Sequence, residues 1–159
     1  VAEGAAGSGQ GSGCVLVRSP ESLLMERVFA DTGYWIEMLN KRADLPRKAL
    51  EFSKTFGFDR IATSEMVLTG FLNSLSPYGP YHRRAAASAV VALRRSGAAV
   101  VAQTPQLFAA ALDRYQSMAD KSWSLTDCAS FLIMEEQHLG AALTHDLHFA
   151  QAGFQALLR

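Results

Sequence analysis

From residue 27 onward the chain alternates short runs of apolar, β-prone residues with longer stretches whose apolar positions recur every three or four residues. "RVFA" (27–30) predicts a first strand, and "TGYWIEMLN" (32–40) sets Trp35, Met38 and Leu39 at helical spacing. Pro46 in "ADLPRKALEFSKTF" suits the first turn of a helix running to about Phe56, with Leu50 and Phe56 among its buried positions. "DRIATS" (59–64) predicts a second strand, after which Ser64 can cap the helix "EMVLTGFLNSL". "SPYGPYH" then breaks the chain before a long helix, "RRAAASAVVALRRS", expected to bury its Ala and Val face. "AAVVAQ" (98–103) predicts a third strand, Thr104 and Pro105 open the helix "QLFAAALDRYQSM", and "LTDCASFLIMEEQHL" forms another helix. "GAALTH" predicts a fourth strand, and "GFQALL" leaves room for a fifth.

Strands alternating with helices of about ten to fifteen residues predict an α/β architecture of three layers, a mostly parallel sheet flanked by helices. In such folds ligands bind beyond the carboxyl ends of the strands. That rule draws attention to three acids. Asp31 follows the first strand, Asp146 follows the fourth, and Asp127 lies in the first turn of the helix leading into the fourth. Ordinary structure accounts for two of them, a helix cap for Asp127 and a turn for Asp146. If all three converge on one edge of the sheet, their like charges repel unless a proton or a cation intervenes. A hard divalent ion such as Mg²⁺ or Mn²⁺, which takes oxygen ligands, resolves the conflict and can activate water against a phosphodiester.

Composition narrows the classes. A chain of 159 residues with 49% hydrophobic and 19% charged residues is expected to form one compact domain. Fifteen basic and fifteen acidic residues leave no net charge, so nucleic-acid contact requires a local patch. The two cysteines, Cys14 and Cys128, show no metal-ligand spacing and fit reduced thiols in a cytosol. Apolar runs of about ten residues fall short of the roughly 20 that span a bilayer, and no basic segment precedes a hydrophobic one at the N-terminus. A cytoplasmic protein is therefore expected. Residues 1–20 read as a flexible Gly/Ser-rich tail or linker ahead of a domain over 27–159, and the spacing of Gly7, Gly9 and Gly11 lacks the strand and helix of a dinucleotide-binding loop.

Four segments, "VFADTGYWIEML", "IATSEMVLTGFLNSL", "WSLTDCASFLIM" and "ALTHDLHFAQAGFQALL", occur in the order in which similar words occur in the PIN-domain family, and the chain resembles its VapC-like toxins from about residue 27 to 158. "SLTDCASF" and "ALTHDLHFAQAGF" are the most specific. The resemblance implies a PIN-like three-layer fold and an Mg²⁺- or Mn²⁺-dependent endoribonuclease acting on RNA and restrained by a cognate antitoxin protein. It assigns Asp31, Asp127 and Asp146 as the catalytic and metal-binding acids, with Thr32 and Thr126 in supporting hydrogen-bond roles. Apolar helices would suit a homodimer.

One position departs from the pattern. Where the family's wording is "VLTE", this chain has "VLTG", so Gly70 stands in place of a glutamate ligand. Glycine inside a helix costs roughly 1 kcal/mol relative to alanine, and nothing in the neighbouring sequence explains it. Glu65, about 140° around the helix, is poorly placed to substitute, and Asn73 is a weaker ligand. The expectation is an enzyme weakened or inactivated at this position, or a noncatalytic PIN-like module that binds an antitoxin or RNA.

The remaining polar groups read as structural. His145 and His148 flank Asp146, but the resemblance assigns the acid alone. Glu135 and Glu136 suit a solvated helix face. Arg83, Arg84, Arg94 and Arg95 bracket an apolar helix, and with Lys41 and Arg42 are the cations available to phosphates. Tyr78, Tyr81 and His82 could stack on a base. Gly33 stands where a haloacid dehalogenase needs its second acid; the paired acids and late lysine of a receiver domain, and a serine hydrolase elbow, are missing.

Overall fold

The computed structural model describes residues 27–39 and 57–159. The tail or linker over 1–20, with Cys14, the helix expected from Pro46 to Phe56, and the cations Lys41 and Arg42 lie outside the described residues. Among them, no helix is long and apolar enough to cross a membrane.

In order, the elements are β1 (Val28–Ala30), α1 (Thr32–Leu39), a 3₁₀ turn (Phe58–Arg60), β2 (Ile61–Ser64), α2 (Glu65–Leu75), a second 3₁₀ turn (Ser76–Tyr78) and α3 (Pro80–Arg95). They continue with β3 (Ala99–Val101), α4 (Pro105–Ser117), α5 (Leu125–Glu136), β4 (Ala141–Leu143), α6 (Leu147–Gln151) and β5 (Gln155–Ala156). The five strands form one sheet in the order β3-β2-β1-β4-β5, and every pairing is parallel. Burial follows this order. Every residue of β1, β2 and β4 is buried, whereas β3 and β5, at the edges, are only partly covered. Central parallel strands carry helices on both faces, which is why these three read as unbroken apolar or small-residue runs.

Several boundaries differ from those expected. The second strand begins at Ile61 because residues 58–60 close a 3₁₀ turn, with Arg60 N–H donating to Gly57 O at 3.0 Å. α3 begins at Pro80, so Tyr81 and His82 belong to its first turn and not to a loop. Its buried side is narrower than expected, with only Ala86 and Leu93 fully covered and Val91 exposed. α5 stops at Glu136 rather than Leu139, where His138 takes a left-handed conformation (φ 55°). His138 N–H then donates to Glu135 O at 3.2 Å and Leu139 N–H to Met134 O at 2.8 Å, the paired bonds that close a helix C-terminus. The fourth strand ends at Leu143, and the short helix α6 that follows has too few turns for apolar periodicity to reveal.

Phe131 of α5 ties the layers together. Its ring meets Phe149 edge-on at 5.0 Å and Trp123 at 5.0 Å, and stacks on Phe154 at 5.7 Å, while Phe149 reaches Phe29 of β1 at 6.3 Å. On the other side, Thr63 of β2 is fully buried. Its hydroxyl donates to Ala30 O at 2.8 Å and accepts from Trp35 Nε1 at 3.2 Å, joining β2, the end of β1 and α1 at one point. The residue after Ala30 is Asp31, so this bond also sets the backbone at the sheet's C-terminal edge. Thr63→Val keeps the volume and removes both bonds, leaving a buried indole N–H unpaired. The expected loss is about 1–3 kcal/mol, measured as a lower urea midpoint at unchanged slope.

Candidate active site at the sheet edge

Asp31, Asp127 and Asp146 are carried by three different segments at the C-terminal ends of neighbouring strands β1 and β4. Asp31 leaves β1 directly, its N–H still donating to Leu143 O of β4 at 3.4 Å. Thr144 follows β4 and is buried. Its hydroxyl donates to Asp31 Oδ2 at 3.1 Å and accepts from the N–H of Asp146 at 3.0 Å. That second bond turns the chain off the strand, a local competition that short hydroxyl side chains commonly win over a ladder. It is the reason the fourth strand ends earlier than expected.

Asp146 caps α6, its Oδ1 accepting from His148 N–H at 2.9 Å. Asp127 occupies the third position of α5 in a capping box. Ser124 Oγ accepts from Asp127 N–H at 3.0 Å, and Asp127 Oδ2 accepts from Ser124 N–H at 2.8 Å. Both acids therefore have the structural roles that local sequence suggests, in modified form: Ser124 is the cap proper, and Asp146 starts a helix as well as ending a turn. Neither role uses up the carboxylate. His148 Nδ1 lies 3.2 Å from Asp127 Oδ2 and 3.3 Å from Asp146 Oδ1. One ligand atom from each of Asp127, Asp146 and His148 lies within 4.8 Å of the others.

Like Asp127, Asp31 is buried, at 8% exposure. Burial pushes its carboxyl up from 3.8 to about 6, with smaller upward contributions from the charges of Asp127 and Asp146. The N–H of Thr32 and the hydroxyl of Thr144 oppose the rise by donating to the carboxylate. Thr32 thus supports Asp31 through its backbone, while its side-chain hydroxyl points elsewhere and donates to Val67 O at 3.4 Å. Thr126 contributes its carbonyl, which accepts from Ser130 Oγ at 2.8 Å.

Two residues of this cluster were not singled out from sequence as site residues. Thr144 is signalled only by its place two residues before Asp146. His148 was set aside with His145, but the two histidines part company. His145 Nε2 turns away to Glu37 Oε1 at 3.2 Å, and His148 joins the acids. Asp127, Asp146 and His148 together make a donor set that fits a divalent cation, whereas Asp31 lies outside that group and is linked to it through Thr144.

Gly70 also has a neighbour that the local sequence hides. A Cβ at this position would lie 3.3 Å from Thr32 Oγ1 and 3.5 Å from Thr32 Cγ2, so a side chain here would have Thr32 shift by a few tenths of an ångström. The same distances place position 70 beside the residue that follows Asp31. Elsewhere, Glu135 pairs with Arg114 at 2.8 Å, so it is more than a solvated face, and Arg94 pairs with Glu65. Arg83, Arg84, Tyr78 and Tyr81 are exposed around the start of α3. A cleft of about 320 Å³ between α1, α2 and α3 is lined by Trp35, Met38, Leu68, Phe71, Val90 and Leu93 among others, with no ionisable group among the described residues. It suits apolar contact, not the chemistry of the acids.

The raised pKa of Asp31 has a sign that can be checked. A carboxyl that holds its proton to about 6 in the fold and releases it at 3.8 when unfolded favours folding most at low pH. That contribution fades as pH rises from about 4 through 6, a difference of about 3 kcal/mol at most. In chelator, Asp31→Asn, which cannot ionise, is expected to match the parent near pH 4 and to exceed its stability by about 1–3 kcal/mol at pH 7. Urea unfolding across that range measures the gap.

No protein-family model matches the chain, and no curated protein matches it. Among solved structures it is similar to the crystal structure of VapC20 from Mycobacterium tuberculosis, a toxin that cleaves the sarcin-ricin loop. The TM-score is 0.69 at 23% sequence identity, over 80% of this chain and 95% of that one. The chain has the fold of a VapC PIN domain, a five-stranded parallel sheet flanked by helices.

Proposed function

We propose that this protein is a metal-dependent endoribonuclease of the PIN/VapC toxin type. Asp31, Asp127 and Asp146 are its catalytic and metal-binding acids, Mg²⁺ or Mn²⁺ its cofactor. The observation that carries the reading is the meeting of Asp127 and Asp146, from separate helices, at one imidazole nitrogen, with the buried Asp31 tied to Asp146 through Thr144. A helix cap needs no such convergence. The fold shared with a toxin that cleaves an RNA loop supports RNA as the substrate class.

A bound divalent ion would polarise a phosphodiester and lower the pKa of an attacking water. The residues supply the rest. Ser124 N–H holds the Asp127 carboxylate and His148 N–H holds that of Asp146, so neither needs to reorganise on binding. Asp31, buried and held by the Thr144 hydroxyl, completes the acidic edge. Exposed Arg83 and Arg84, with Tyr78 and Tyr81 nearby, are available for phosphate and base contacts beside the cleft. An antitoxin would bind over the acids with an arginine, whose guanidinium pairs with carboxylates.

A second reading, a noncatalytic PIN-like module that binds RNA or an antitoxin, is favoured by one observation: Gly70 carries no carboxylate where the resemblance expects glutamate. The two readings separate in a cleavage assay on an RNA panel that includes a sarcin-ricin loop. The nuclease reading expects cutting that requires Mg²⁺ or Mn²⁺ and falls about 100-fold in Asp146→Asn, equivalent to about 2.7 kcal/mol. Cutting that persists in chelator or in Asp146→Asn would overturn it, and binding without cutting selects the module.

Gly70→Glu is expected to raise metal-dependent cleavage about tenfold or more by adding an oxygen ligand. Because its Cβ would lie 3.3 Å from Thr32 Oγ1, the substitution is best made alone and with Thr32→Ala, which removes that hydroxyl and keeps the backbone N–H that Asp31 uses. If both forms fold and neither cuts faster, position 70 is a packing position and not a lost ligand.

A further inference from the structure

Within the metal-site reading just given, we propose that His148 is itself a ligand of the cation. It would bind through Nδ1 and bias the site toward transition-metal ions such as Co²⁺ or Zn²⁺ over Mg²⁺. The motif resemblance assigns the acids alone, and the inference rests on how the imidazole is held.

Nδ1 stands 3.2 Å from Asp127 Oδ2 and 3.3 Å from Asp146 Oδ1. Donor atoms bound to one ion at about 2.1 Å lie about 3.0 Å apart at neighbouring octahedral positions and about 3.4 Å apart at tetrahedral ones. Both observed separations fall between those values. The ring is also fixed from its far side, since Nε2 lies 3.0 Å from Ser122 Oγ. Ligating histidines characteristically donate their second ring N–H to an oxygen, which sets the tautomer and aims the lone pair. Here Nε2–H donating to Ser122 leaves the Nδ1 lone pair pointing between two carboxylates. A lone pair and two anionic oxygens repel one another unless something positive lies among them. The oxygens themselves are anchored to backbone N–H groups, Asp127 Oδ2 to Ser124 and Asp146 Oδ1 to His148.

Mg²⁺ prefers oxygen and gains little from an imidazole, whereas first-row transition ions gain increasingly from it along the Irving–Williams order. A mixed set of two carboxylates and one imidazole therefore discriminates between ions that an all-carboxylate site would treat more alike. The competing geometry is a ring protonated at Nδ1 that donates to both carboxylates and ligates nothing. Affinity ratios separate the two.

Calorimetric titration of the full chain with Mg²⁺ and with Co²⁺, without RNA, is the test. In His148→Ala and His148→Gln, Co²⁺ affinity is expected to fall by more than about tenfold, since losing even an outer partner of a ligand costs about 10–100-fold. Mg²⁺ affinity should change by less than about threefold, so that the preference collapses. Ser122→Ala should lose part of the Co²⁺ preference. Equal losses for both ions, or an unchanged ratio, would overturn ligation and leave the ring a hydrogen-bond donor to the acids. Should both His148 variants unfold, ¹⁵N NMR of the parent decides. On adding Zn²⁺, the Nδ1 resonance of His148 shifts while Nε2 stays protonated; no shift overturns the proposal. If the parent binds none of these ions, the metal-site reading fails with it. Ion binding without preference removes His148 alone.

Discussion

Thr144 makes two hydrogen bonds with one hydroxyl, and the geometry of the whole edge follows from them. By donating to Asp31 it spans 113 positions of sequence and holds the end of β1 to the end of β4. By accepting from Asp146 N–H it takes the chain off the strand and starts α6, which brings His148 back over the acids. A residue without a hydroxyl would leave a buried carboxyl short of a donor and let the fourth strand run on. The side chain is fully buried and hydrogen-bonded in both directions, the condition under which a polar core residue specifies structure.

Much of the fold was legible in the chain because its signals are local. Ser64 and Thr104 were recognised as caps, and both accept the expected N–H, from Val67 at 3.2 Å and from Leu107 at 3.1 Å. The four main strands declared themselves through short apolar runs, as parallel strands covered on both faces must. What was hidden depends on contacts between distant segments. The end of α5 is set by a left-handed His138, a conformation that histidine does not advertise. The buried side of α3 is narrower than its composition implies, because alanine-rich helices look apolar all round and packing decides which alanines are covered.

The candidate site shows the same division. Asp31, Asp127 and Asp146 were legible from motif wording and their places at strand ends and a helix start. The partners that shape them were not. Thr144 and His148 have bland local roles beside Asp146, and only the return of α6 across the edge gives the ring its neighbours. Gly70 is the reverse case. The missing side chain faces the start of α1, where a Cβ would meet Thr32 Oγ1 at 3.3 Å. Chemistry and packing make separate demands at that position.

The strand order β3-β2-β1-β4-β5 has a consequence for how the edge comes into being. β1 lies at the centre, but its partner on one side is β4, with Phe29 set against Ala142, so the pairing closes a very long loop. Contacts of such separation form late, because loop-closure entropy must be overcome before they are rewarded. Asp31 is synthesised early and waits, without Thr144 and without its companion acids, until β4 has left the ribosome. A nascent or truncated chain that ends before Ala141 lacks the assembled edge, whatever it folds into. The three acids are thus brought to one edge only when β4 pairs with β1, and the order of synthesis and the order of assembly coincide.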